Sequence, residues 1–301
     1  MRNSNDSKTG SAVLIGALFF LLGTLGIANA VDEPWGYDPP KVLPPNWGTL
    51  PGDALCGSGT AQSPIDLSQS KNTPRNMRVR RKNLRDIVYD YKETGLVLRN
   101  RGFDVQALYD SGSTIQLTKK GPLYNLLQFH FHAPGEHTFE HGALFEIEIH
   151  LVHQSSADPN QLAVVALLVK EGQENAVLKP VFDQLFRVPN EGDEFDDSGV
   201  QFNIADALPS DRRYFAYHGS LTTPAGGTAE GCREIVEWRV IAKPIEMSRE
   251  QIDAFVAVLD HSCCPINGNN RPTQSINGRK IFLDKKMRHP SFLGLHFNIY
   301  E

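Results

Sequence analysis

The sequence predicts a mainly β (α+β) fold: one domain built on a large central β-sheet with short helices at its periphery. Short apolar or alternating runs recur between turn signals along most of the chain. Helical periodicity is confined to two stretches, 176–186 and 248–259. No repeat of fixed period and no long linker divides the chain after its first residues, so a single domain over 31–301 is expected.

In chain order, residues 1–30 are a separate material. Arg2 and Lys8 precede an almost uncharged apolar run over 12–27, which ends in Ala28-Asn29-Ala30. A basic start, a short apolar core and an Ala-x-Ala ending describe a signal peptide. The run is shorter than the ~20 apolar residues of a spanning helix and is broken by glycines, so no stable membrane insertion is expected once it is cleaved. Residues 31–60 are rich in Pro, Gly and Trp and read as an irregular arm lying on the core. The strand candidates are 96–98, 113–117, 126–132, 144–153, 162–169 and 235–241, several of them rich in Val, Ile and Phe. Ser248-Arg249-Glu250-Gln251 opens the second helix as a capping sequence. Segment 187–210 is acidic and turn-rich and reads only as surface, and 283–301 forms a tail.

The 301-residue chain carries a formal charge of −5, and removal of residues 1–30 would leave 28 basic against 34 acidic residues, or −6. That mild balance argues against a nucleic-acid partner and towards a small or neutral ligand. Export into an oxidising compartment, secreted or periplasmic, would favour disulfides. Cys56, Cys232, Cys263 and Cys264 allow three connectivities, which spacing alone does not resolve. Neighbouring Cα atoms lie about 3.8 Å apart, short of the usual disulfide range. Cys263 and Cys264 are therefore expected as free thiols or as a link to a second copy in a homodimer, with a vicinal bridge as the remaining alternative.

The informative segment is Gln128-Phe129-His130-Phe131-His132. Strand side chains alternate faces, so both histidines share one face and both phenylalanines the other. In residues 144–153, Phe145, Ile147, Ile149 and Leu151 alternate with Glu146, Glu148, His150 and Val152. Antiparallel pairing of the two runs would bring His150 to His130 and His132. Three neutral imidazoles with an open position make a catalytic zinc set, and zinc brings the pKa of its bound water to about 7. Glu148 on that face needs a partner if buried, and the second ring nitrogen of a ligand histidine would supply one. Spacing alone leaves metal binding and an ordinary histidine-bearing strand equally open. His137, His141, His153, His218, His261, His289 and His296 are treated as structural or surface residues.

Several separate segments resemble the alpha-class carbonic anhydrases. They are Trp35-Gly36-Tyr37, Trp47-Gly48, Gln62-Ser63-Pro64-Ile65-Asp66-Leu67, the two histidine segments with Gly135-Glu136-His137, Gly219-Ser220-Leu221-Thr222-Thr223-Pro224 and Asn269-Asn270-Arg271-Pro272-Thr273-Gln274. The resemblance runs in family order from about residue 35 to residue 282. It implies a mostly antiparallel, twisted sheet and reversible hydration of carbon dioxide to bicarbonate by zinc-bound hydroxide. His130, His132 and His150 would hold Zn2+, and Thr222, oriented by Glu136, would hold the hydroxide. Thr223 would contact substrate. Gln128, Glu148 and the Asn269 backbone would support the ligands. Val152, Val164, Leu221 and Trp238 would line the carbon dioxide pocket, although packing alone would explain the apolar ones. The resemblance also implies a Cys56–Cys232 disulfide bracing the Thr222 loop.

The chain departs from the family pattern in two places. Asn100-Arg101-Gly102-Phe103-Asp104-Val105-Gln106 places Phe103 where many fast members carry a proton-shuttling histidine, with Gln106 as a polar pocket residue. Phenylalanine carries no proton, so a slower, buffer-dependent enzyme is expected. Residues 225–231 insert a glycine-rich segment beside the Thr222 loop. A catalytically silent binding module on the same fold and a zinc esterase are the alternatives; the retained histidines, Thr222 and Glu136 argue against the first. Cleavage after Ala30 predicts that N-terminal sequencing of exported protein starts at Val31; any other start refutes the cleavage site.

Overall fold

The computed structural model describes residues 35–68, 78–81, 87–139, 142–225 and 230–284. The leader, the apolar tail beyond 284 and most of the 225–231 insert lie outside them. Among the described residues no helix is long and apolar enough to cross a membrane.

Twelve strands form one mixed sheet: β1 (Arg78–Arg81), β2 (Val88–Asp90), β3 (Thr94–Asn100), β4 (Val105–Leu108), β5 (Thr114–Gln116), β6 (Leu123–His132), β7 (Ile147–Ser155), β8 (Leu162–Glu171), β9 (Glu194–Phe202), β10 (Tyr214–Gly219), β11 (Val236–Met247) and β12 (Ile281–Asp284). Their order is β1-β12-β10-β11-β8-β7-β6-β4-β3-β9, with β2 attached through β5 to the start of β6. Among the described strands, β1–β12 and β8–β11 pair in parallel and the others antiparallel. Among the described residues the α-helices are α1 (Leu55–Ser58), α2 (Lys179–Phe182) and α3 (Arg249–Ser262), all outside the sheet.

The alternation read in the sequence sorts the core into two layers. Phe129, Phe131, Ile147, Ile149 and Leu151 join the larger cluster, which packs beneath α3 through Ile252, Phe255 and Leu259. The opposite face carries the histidines and a second cluster of Val152, Val164, Leu168, Tyr217 and Trp238. α3 starts with a complete capping box between Ser248 and Gln251. Trp35, Tyr37 and Trp47 of the arm pack edge to face at 5.3–6.2 Å around a third cluster containing Cys56 and Cys232.

Several expectations need correction. The helix expected over 176–186 is broken: α2 covers one turn, and Leu185–Arg187 forms a separate 3-10 turn. Pro180 fits only the first turn of a helix, and the Asn175 side chain caps Leu178 N–H, so the helical register starts late. Segment 187–210 contains β9, an edge strand on β3 whose mostly exposed acidic residues hide its strand character. β7 begins at Ile147, and Phe145 packs in the site-side cluster rather than with Ile147. β1, β2, β4, β10 and β12 are not evident in the sequence; four of the five have four residues or fewer.

Cys263 and Cys264 are joined to each other, with Cα atoms 3.7 Å apart, rather than being free or linked to another chain. Cys263 sits at the C-cap of α3, where the backbone leaves helical geometry (φ −148°, ψ −45°). Cys56–Cys232 bridges a sequence separation of 176. The loop-closure relation gives about 5 kcal/mol for a bond of that span and about 1 kcal/mol or less for adjacent residues. The long bond is therefore the one that supports the fold. Replacing both Cys56 and Cys232 by Ser should lower unfolding free energy in urea by about 2–5 kcal/mol; a loss under about 1 kcal/mol would overturn this assignment of roles.

Candidate metal centre

The pairing of β6 with β7 sets Gln128 opposite Val152, His130 opposite His150 and His132 opposite Glu148. The same rows continue across the sheet: Gln106–His130–His150–Ala166, and Gln128–Val152–Val164–Trp238. Polar ligand-type residues and an apolar wall thus stand side by side, one pleat apart.

His130, His132 and His150 converge, with one nitrogen from each within 4.8 Å of the others and ring centroids 4.6–5.3 Å apart. Each has its second nitrogen engaged. His130 Nδ1 meets Gln128 Oε1 at 3.0 Å, His132 Nδ1 meets the Asn269 carbonyl at 2.8 Å, and His150 Nε2 meets Glu148 Oε1 at 2.9 Å. These acceptors fix the tautomers, so His130 and His132 present a bare Nε2 and His150 a bare Nδ1. His132 Nε2 is buried without a hydrogen-bond partner, a costly state that a cation would relieve. Burial lowers the pKa of all three, to which the neighbouring imidazoles add for His130 and His150. The residues therefore fit a divalent metal that takes neutral nitrogen ligands.

Glu148 is the hub beneath them. Its Oε2 accepts the backbone N–H groups of Glu136 and His137 at 2.9 and 2.8 Å, and its Oε1 also meets His137 Nδ1 at 2.6 Å. Burial pushes its pKa up, but His137 and His150 outweigh it and hold the carboxyl well below its ordinary value. His137, Glu148 and His150 also lie within metal-ligand reach of one another, yet their facing atoms are spent on these mutual bonds. His137 continues through Nε2 to Tyr217 Oη at 2.7 Å, and Tyr217 donates to Ser63 at 3.1 Å. The sequence reading missed this role of His137 and Tyr217; the adjacency of His137 to Glu136 was the available signal. His153, also fully buried, bonds Tyr91 on the opposite core, and burial takes its pKa down to about 3.

Glu136 Oε1 accepts the Arg271 N–H at 2.9 Å, while Oε2 is buried with no hydrogen bond of its own. Burial raises this carboxyl to about 7, opposed by His150, the Arg271 N–H and the Thr222 hydroxyl. Thr222 thus acts on the carboxylate without closing a full hydrogen bond. Arg271 turns its guanidinium inward to Gln62 Oε1 and to the carbonyls of Ser63 and Cys56 at 2.7–2.9 Å. The Thr222 loop is held by Cys232 N–H on the Thr223 carbonyl at 3.0 Å and by Ser63 Oγ accepting Ser220 N–H at 3.0 Å. Cys56–Cys232 anchors its far side.

Leu221 packs against the cluster that contains Val152, Val164 and Trp238, and Thr223 is half-buried beside it. Phe103 lies against Trp35 at 4.5 Å, with the Arg101 guanidinium 4.4 Å over its ring. With its amide oxygen turned to the donors, Gln106 accepts from Arg101 Nε at 3.1 Å and from Gln128 Nε2 at 3.3 Å. Asn269 N–H and Oδ1 bond the backbone of Ala133, and its Nδ2 donates to the Phe103 and Phe131 carbonyls. Gly268 (φ +68°) presses the same loop so close that a Cβ would stand 2.0 Å from the Ala133 oxygen. Of the remaining histidines, His218 and His261 are on the surface, and His141, His289 and His296 lie outside the described residues.

Residues 43–285 match the family described as eukaryotic-type carbonic anhydrase. A carbonic anhydrase of Nostoc sp. is 35% identical over 255 residues, covering 84% of this chain and 87% of its own. The alpha-carbonic anhydrase of Thermovibrio ammonificans, solved with the inhibitor sulfanilamide, superposes with a TM-score of 0.70 at 30% identity, covering 82% of this chain and 98% of that one. Dioscorin, solved with ascorbate, gives a TM-score of 0.70 at 27% identity, covering 84% and 99%. With residues 43–285 matched by the family and the fold superposed on solved members, the chain belongs to the eukaryotic-type, or alpha, carbonic anhydrases.

Proposed function

We propose that this carbonic anhydrase is a zinc enzyme in which His130, His132 and His150 hold the metal and no histidine exports the proton. The observation that carries the reading is the convergence of three bare imidazole nitrogens, one of them buried and unpartnered. Bound zinc would supply a water whose pKa is near neutrality and a Lewis acid for the reacting oxygen.

The chain's own residues do the rest. Gln128, Glu148 and the Asn269 carbonyl hold the three rings in the required tautomers. Thr222 beside the open Oε2 of Glu136 would donate a hydrogen bond to it, which would leave the threonine oxygen able only to accept. That polarity orients a donor at the reacting centre and selects one attack direction. A dication in the site would hold Glu136 ionised against the upward pull of burial. Val152, Val164, Leu221 and Trp238 form the wall against which uncharged carbon dioxide rests, with Thr223 contacting the bicarbonate oxygens. Phe103, held against Trp35 and Arg101, has no proton to pass, so the proton leaves to buffer. The leader-like start and the Cys56–Cys232 bond support action in a secreted or periplasmic setting, with residues 31–301 as the mature catalytic domain.

Thr222→Ala should lower kcat/KM for carbon dioxide hydration about 100-fold with zinc retained, and His150→Ala should lose the zinc itself; stopped-flow hydration and metal analysis read the two. Turnover should rise with imidazole concentration, and a flat response would remove the missing-shuttle reading. Because the buried histidines refuse protons that the unfolded chain accepts, the metal-free protein should lose stability as pH falls through about 6.5. Urea midpoints at pH 7.5 and 5.5 test the sign. Stoichiometric zinc without hydration would favour a ligand-binding role.

A further inference from the structure

We infer that Cys263–Cys264 is a thiol–disulfide exchange site, taking a dithiol reductant, whose redox state is read at His132. The bond joins adjacent residues, so it closes almost no loop and adds little to the fold. Its location gives it another use. The two cysteines end α3, with both N–H groups on the Leu259 carbonyl, and open the segment that runs to Asn269. Cys264 O accepts Gly268 N–H at 3.0 Å, which leads directly to Asn269. Asn269 then makes five bonds to the metal strand and its surroundings: its carbonyl to His132 Nδ1, its N–H and Oδ1 to Ala133, and its Nδ2 to Phe131 and Phe103. From the other side the loop is held by Asp38 Oδ2, which accepts Ile266 N–H at 2.8 Å, and by the Tyr37 carbonyl, which accepts from Asn267 at 3.0 Å.

Access distinguishes this bridge from the other one. Cys56 and Cys232 are 5% and 0% exposed, and Cys264 is 1% exposed, whereas Cys263 is half-buried. A thiolate therefore attacks the Cys263 sulfur, with Cys264 as the leaving thiolate. The second thiol of the reductant then resolves the mixed disulfide. One dithiol becomes one disulfide, and Cys263 and Cys264 each gain a proton; two electrons pass to the protein. Ile266, 74% exposed two residues on, gives the site an apolar shoulder. Opening the two-residue ring frees the exit from α3 and loosens the span that positions Asn269.

The zinc readout rests on the proposed ligand role of His132; the amide readout does not. A brief dithiothreitol pulse followed by alkylation should place two labels, both on Cys263 and Cys264, with Cys56–Cys232 intact. Hydrogen exchange by mass spectrometry should then show the Ala133 and Asn269 amides exchanging about 3- to 10-fold faster, and zinc should transfer to a chromophoric chelator faster by a similar factor. The Cys263→Ser/Cys264→Ser protein should match the reduced state and ignore the reductant. Thiols that titrate before reduction, labelling of all four cysteines together, or unchanged amide exchange in the reduced protein would each overturn the inference. Absence of zinc from the oxidised protein would instead refute the metal reading, and the amide result would still decide this one.

Discussion

The register between β6 and β7 is the constraint on which the site depends. Because strand side chains alternate with period two, a slip of one residue would send every histidine into the large core and every phenylalanine to the open face. The register is pinned from both faces. Phe129 and Phe131 interlock with Ile149 and Leu151 below, while Glu148 ties β7 to the turn at Glu136 and His137 above. One carboxylate with four donors thus fixes a strand pairing, a loop and the tautomer of His150 together.

That arrangement places an ion where it would ordinarily be costly. A fully buried carboxylate is tolerated because every lone-pair direction of Glu148 meets a donor. Glu136 is the opposite case, with one oxygen satisfied and one open. The contrast separates a residue that builds the site from one kept available to it. Arg271 links the two regimes: its N–H supports Glu136, and its buried side chain locks Gln62, Ser63 and Cys56 behind the Thr222 loop.

Much of this was legible in the sequence, and the limits have physical causes. The histidine pair on β6 and the alternation of β7 follow from strand geometry alone, so both the shared face and the cross-strand meeting with His150 could be anticipated. The α3 start was equally legible because capping is local. Relations between distant segments were not. β9 exposes its acidic residues and declares itself only through pairing with β3. The path from His137 through Tyr217 to Ser63 joins three segments that no periodicity connects. Cys263–Cys264 was misjudged because average Cα spacing was weighed without the change of backbone direction at a helix end.

The parallel pairing of β8 with β11 also bears on the order of assembly. His130 and His150 are 20 positions apart, whereas Val164 and Trp238, neighbours across the parallel pair, are separated by 74. Loop closure over the longer span costs about 1 kcal/mol more, a factor of about seven in the probability of the ends meeting. Parallel strands also require the intervening chain to cross over before they can pair. The metal-type histidines can therefore gather in a nascent β6–β7 hairpin while the apolar wall beside them is still open. Ligand capture and substrate selectivity would then arise at separate moments in the life of the chain.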